Sequence, residues 1–209
     1  MSLSNTVLLS SEYFPSIAWY QKYLQAGEAY IEQLEYFEKS TLRNRCYISG
    51  PNGMLALSVP IEGGRGMHIP INEIKIAKES NWQQQHWRSL LASYNRSPYF
   101  EYYEMEFAHF FEKKYSNLFA LNLESILLLN KLMQIKKSLL LTKVYQKSVP
   151  ANCIDYRRTH KLQHNLPSHQ LKYIQPFEGK QGFLDGLSMI DLLFCAGKQA
   201  MFGGNSKKP

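Results

Sequence analysis

Paired cysteines are missing from this sequence. Cys46, Cys153 and Cys195 are odd in number, widely spaced and free of any CxxC motif, so no disulfide framework is implied and a reducing compartment fits best. Long apolar runs are missing too: the most apolar stretch, Leu118 to Leu129, is broken by Asn122 and Glu124 well short of a bilayer span. Met1 to Val7 has neither the charged lead-in nor the apolar core of a signal peptide. The expectation is a cytoplasmic chain with no transmembrane helix. The glycine-rich Glu62-Gly-Gly-Arg-Gly66 lacks the Lys-Ser/Thr ending of a P-loop, and there is no GxSxG elbow and no convincing Cys-His pair for nucleophilic catalysis. His160, His164, Cys153 and His169 lack a compact four-ligand spacing, so neither a metal nor another cofactor is expected. Neither an aromatic RNA-binding strand nor a basic recognition helix stands out, which leaves charge as the sole argument for nucleic acid.

What is there is an ordinary globular composition, 44% apolar and 20% charged over 209 residues, enough to bury a core without staples. We expect a single domain over 1–202 and a disordered tail over 203–209. The formal net charge of +7 is unevenly placed: from Lys113 to Lys180 there are 12 Lys or Arg against three acids, whereas the remainder holds 12 bases and 14 acids. That segment is either a solvated face or a surface for an anionic partner, such as a phosphate-bearing small molecule or an anionic membrane.

The pattern predicts an α/β fold: a βαβ opening with a β-hairpin, followed by a mostly helical second half. Thr6 to Leu9 reads as a strand, Ile17 to Leu24 as a helix that Ser16 can cap, and Ala29 to Gln33 as a second, parallel strand. Arg43 to Ile61 reads as a hairpin turning at Gly50-Pro-Asn-Gly53. Helical spacing then recurs from Gln83 to Tyr94, from Phe100 to Phe111 and from Leu118 to about Lys137. Leu139 to Tyr145 could add a strand. A helix near Leu187 to Ala196, capped by Asp185 and stopped by Gly197, closes the chain.

Several polar residues could carry chemistry. Ser10, Ser11 and Glu12 fall in the loop where a βαβ unit places ligands, Glu12 being the nearby group able to act as a general base. Arg43 and Arg45, two apart in a predicted strand, would project from one face about 7 Å apart and could grip an anion; on a blander reading they pair with Glu35 or Glu38. His86, on the flank of its helix beside Trp82 and Arg88, is either a proton shuttle or a structural histidine. Asp191 lies on the polar stripe of the closing helix, and if buried it needs a partner, for which an arginine would serve.

Three separated blocks carry a resemblance to a known family. The first runs through Tyr13-Phe-Pro-Ser-Ile-Ala-Trp-Tyr-Gln-Lys22, Leu42-Arg-Asn-Arg-Cys-Tyr-Ile48 and Leu57-Ser-Val-Pro60. The second contains Trp82 to Ser89 and Ser97-Pro-Tyr-Phe100; the third is Gly182 to Phe194 with Gly197. Their order and spacing resemble the WbqC family, which occurs in O-antigen and related lipopolysaccharide loci. The resemblance implies a part in making or decorating an activated sugar; Tyr13, in the loop after the first strand, and Arg88, beside His86, are further ligand-binding candidates. A common family pattern ends the first strand in His-Gln-Pro; here Leu9-Ser10-Ser11 stands at those positions. Two readings follow: a small-group transferase acting on a nucleotide-linked sugar, with Glu12 or His86 as acid/base, and a non-catalytic scaffold using the basic segment.

Overall fold

A computed structural model describes residues 5–63, 68–78, 80–158 and 171–202. The apolar alternation at the start of the chain forms β1 (Thr6–Ser10), and Ser16 caps α1 (Ile17–Gln25) by accepting from the Trp19 amide at 3.2 Å. The chain returns as β2 (Glu28–Glu32), parallel to β1 with Leu9 opposite Ile31. The predicted βαβ unit is therefore present. The predicted hairpin follows as β3 (Arg45–Gly50) and β4 (Gly53–Ser58), in register from Arg45↔Ser58 to Gly50↔Gly53. Its turn closes on Gly53, whose φ of 113° favours glycine.

Three longer helices make up most of the second half: α2 (Trp82–Tyr94), α3 (Phe100–Glu112) and α4 (Leu118–Leu132). The last stops five residues before the sequence suggested, where Gln134 takes a positive φ of 58°. β5 (Leu140–Leu141) is much shorter than the expected Leu139–Tyr145 strand, because after pairing with β2 the chain turns at Thr142 to bond the end of that strand. β6 (Cys153–Asp155) pairs with the other side of β1. After the one-turn α5 (Glu178–Gln181), α6 (Met189–Ala196) is capped by Ser188, which accepts from the Ile190 amide, and not by Asp185. Gly197 ends α6 as expected: its φ is 73°, and a Cβ there would fall 2.8 Å from the Tyr99 ring.

The four-stranded sheet is all parallel in the order β5-β2-β1-β6. One face, carrying Val7, Leu9, Ala29 and Ile31, is buried in the core, with α1 against β1. The other carries Thr6, Leu8, Glu28, Tyr30 and Glu32 toward the segment 141–152. Strand order reverses at β1, since β2 and β5 lie to one side and β6 to the other. In parallel α/β sheets such a reversal leaves a crevice beyond the carboxyl ends of the strands. Among the described residues, no helix is long and apolar enough to cross a membrane.

Candidate functional site

The loop leaving β1 is fixed from three directions. Tyr13 donates its amide to the Leu42 carbonyl at 3.0 Å, Phe14 donates to Ser125 Oγ at 3.1 Å, and Ser188 Oγ donates to the Phe14 carbonyl at 2.8 Å. Phe14 is held at φ 42°, a conformation that costs a non-glycine residue free energy and persists where its surroundings impose it. Ser10, Ser11 and Glu12 are all buried in this loop. Asn122 of α4 donates to Ser11 Oγ at 3.4 Å and to the Arg43 carbonyl at 2.8 Å, tying two loops to one helix.

Glu12 is 1% exposed, and its Oε2 has no hydrogen-bond partner among the described residues. Burial pushes its pKa up to about 7, although the Ser16 backbone, Lys22 and Arg43 act in the opposite direction. Lys22 of α1, whose ammonium lies 4.5 Å from the centre of the Tyr156 ring, is pushed down by its own desolvation while Glu12 partly restores it. Glu12 is thus a carboxyl group able to hold or release a proton near neutrality at the carboxyl end of the central strand.

One buried ion pair acts on it, and a second is joined to that pair. Arg43 grips Glu35 through Nε to Oε1 at 3.0 Å and Nη2 to Oε2 at 2.5 Å. Arg157, just past β6, binds Asp155 through Nε and Nη2, reaches Glu32 Oε2 at 3.4 Å and donates to the Gln146 carbonyl at 2.8 Å. Glu32, fully buried at the end of β2, also accepts from the Thr142 hydroxyl at 2.7 Å and the Leu34 amide at 2.9 Å. Arg43 Nη2 touches the Arg157 carbonyl at 3.4 Å, joining the two pairs. Among the described residues, this edge sets Glu12, Glu32, Glu35 and Asp155 against Lys22, Arg43 and Arg157.

The expected arginine fork is corrected. Arg43 lies in a turn ahead of β3, where the Thr41 hydroxyl accepts from its own amide and the Thr41 carbonyl from that of Asn44. It is buried on Glu35, the partner named by the blander reading. Arg45 starts β3, opposite Ser58, with its buried Nε unpaired. Asn44 packs into a structural role, its amide donating to the Val59 carbonyl at 3.0 Å. Arg88 is exposed on α2, and among the described residues no ion pair links it to the edge.

His86 and Asp191 each lie in an enclosure of their own. The Tyr13 hydroxyl and His86 Nδ1 are 3.0 Å apart inside a ring of Trp82, Phe111 and Tyr13 itself. With Nε2 protonated and donating to the Ser58 backbone, the Tyr13 hydroxyl donates to Nδ1. Burial lowers the His86 pKa to about 4, so the ring is neutral near pH 7. Asp191 is fully buried, but its partners are tyrosines: Tyr94 and Tyr173 each donate to it at 2.5 Å. The expected arginine partner is replaced by these two hydroxyls. Burial, stronger than the tyrosine hydrogen bonds, raises the Asp191 pKa to about 6.

Glu32, Asp155, Arg157, Lys22 and Asn122 were not singled out in the sequence. Glu32 had a usable signal, a carboxylate directly after the apolar Ala29-Tyr-Ile31 of a parallel strand. Arg157 had none, because β6 is only three residues long. Among the described residues, no group of three or more His, Cys, Asp or Glu could hold a metal ion; His160, His164 and His169, like the tail 203–209, lie outside those residues.

No curated protein and no solved structure matches this chain. A family model does match, across residues 10–168, a stretch that contains the β1 loop, both ion pairs and the hairpin. The chain belongs to the WbqC-like protein family.

Proposed function

We propose that this protein is a small-group transferase of cell-surface polysaccharide biosynthesis, acting on a nucleotide-linked sugar held beyond the carboxyl ends of β1, β2 and β6. Glu12 is the proton acceptor for the attacking group, and Lys22 is the cation that acts on it from α1. One observation carries this reading: a carboxyl group with a pKa of about 7 and an unpartnered oxygen, buried where the strand order reverses. The family's occurrence in polysaccharide loci supports the substrate class. His86, neutral and enclosed by aromatic rings, is left to a structural role.

The test starts with thermal stability against a panel of nucleotide sugars, in which a ligand at about 100 times its dissociation constant adds roughly 2.7 kcal/mol. Turnover of the stabilising ligand is then compared between wild type and Glu12→Gln. Removal of a general base lowers turnover by about 10²–10⁴-fold, and binding should survive because the amide is nearly isosteric. Undiminished turnover in a folded Glu12→Gln variant, or no shift with any nucleotide sugar, refutes the assignment.

A further inference from the structure

The face of the sheet turned away from the core is roofed by an irregular segment. Between that face and residues 141–152 lies a cavity of about 540 Å³, within the roughly 300–1,000 Å³ of small-ligand pockets. Leu8 and Tyr30 form its floor, Val149 and Pro150 stand against them, and Gln146 and Asn152, two amide residues, are also among its lining. The Tyr30 ring is half-buried and stacks on no other ring of the described residues. Its hydroxyl and the two amides likewise make no side-chain hydrogen bond there. One end of the cavity is Glu32, the residue that Arg157 ties into the edge containing Glu12.

We infer that this cavity is a subsite for the base of a nucleoside. The inference rests on the nucleotide-sugar reading above and adds where the nucleoside goes. An aromatic floor with aliphatic walls suits the face of a planar ring, while amides that both donate and accept suit its polar edge. Charge decides against a phosphate in the same place. The charged groups lining the cavity are Glu28, Glu32 and Lys143, and Arg157, the cation paired with Glu32, is shared with Asp155, so the balance around the cavity is negative. An uncharged ring meets no electrostatic penalty there.

Cys153 lines the cavity and is half-buried, so it reports occupancy. The intact chain is alkylated with iodoacetamide, and labelling of each cysteine is followed by peptide mass spectrometry. The probes are the four ribonucleosides, their monophosphates and inorganic phosphate. At ten times its dissociation constant, a nucleoside should slow labelling of Cys153 about tenfold and leave Cys195 unchanged. Inorganic phosphate should protect neither. Asn152→Ala, an exposed change that removes no side-chain hydrogen bond among the described residues, should weaken nucleoside binding without shifting the thermal midpoint of the free protein. The inference is overturned if no nucleoside binds, or if one binds while Cys153 reacts at its free rate. Nucleotide-sugar turnover without protection of Cys153 removes this subsite alone. Protection by nucleosides combined with inert nucleotide sugars removes the transferase reading and leaves the subsite standing.

Discussion

A histidine and a carboxylate near a suspected site invite the same assignment, yet burial acts on them in opposite directions. Desolvation opposes charge, which pushes the pKa of Glu12 up to about 7 and that of His86 down to about 4. Glu12 therefore changes protonation near neutrality, whereas His86 stays an uncharged hydrogen-bonding ring. Titration of the His86 ring by NMR should give a midpoint near 4. A midpoint near the ordinary value of about 6.5 would return it to the set of neutral-pH proton carriers. Tyr13→Phe removes the hydroxyl that satisfies Nδ1 and, by orphaning a buried acceptor, should lower stability by about 1–3 kcal/mol in denaturant unfolding. The pairing of Tyr13 with His86, 73 positions apart, carries no local sequence signal.

At the scale of elements, Arg157 holds three pieces of chain in one place: the end of β2 through Glu32, the end of β6 through Asp155, and the segment over the outer sheet face through the Gln146 carbonyl. Replacing it leaves the fully buried Glu32 without its counter-ion, so Arg157→Met should cost about 3–5 kcal/mol. Glu32→Gln should therefore be less costly in the Arg157→Met background than in wild type, and an equal effect in both backgrounds would show that the pair is not coupled. The same elements mark how far the sequence could be read. The βαβ opening, the hairpin and the three longer helices were legible because each is set by local periodicity or turn chemistry, as in Leu55, Leu57 and Val59 or Gly50-Pro-Asn-Gly53. Glu12 was legible from its place after the first strand. The partners around it were not: Arg157 and Asn122 reach the edge from 125 residues beyond Glu32 and 79 beyond Arg43, distances set by tertiary packing alone. The arginine fork failed for a local reason, since the turn at Thr41 delays β3 until Arg45.

Over the whole molecule, the buried groups give stability a particular dependence on pH. Glu12 and Asp191 have folded pKa values of about 7 and 6, above their ordinary values, so each contributes stability in acid that is lost as pH rises through the folded value. Glu35, also raised by burial, has the same sign. His86 is the opposite case: its folded value of about 4 lies below the ordinary one, so stability is lost as pH falls from about 6.5 toward 4. Between pH 5 and 6 Glu12 and Asp191 together outweigh the imidazole, and stability should fall as pH rises there. Each net proton is worth about 1.4 kcal/mol per pH unit. Glu12→Gln with Asp191→Asn removes two protons from the balance whatever it does to absolute stability. Urea unfolding at pH 5 and pH 6 should therefore show the change in stability between the two conditions differing from wild type by up to about 3 kcal/mol. An unaltered change would mean that neither carboxyl is desolvated in solution, and Glu12 would then lose the property that makes it the proton acceptor.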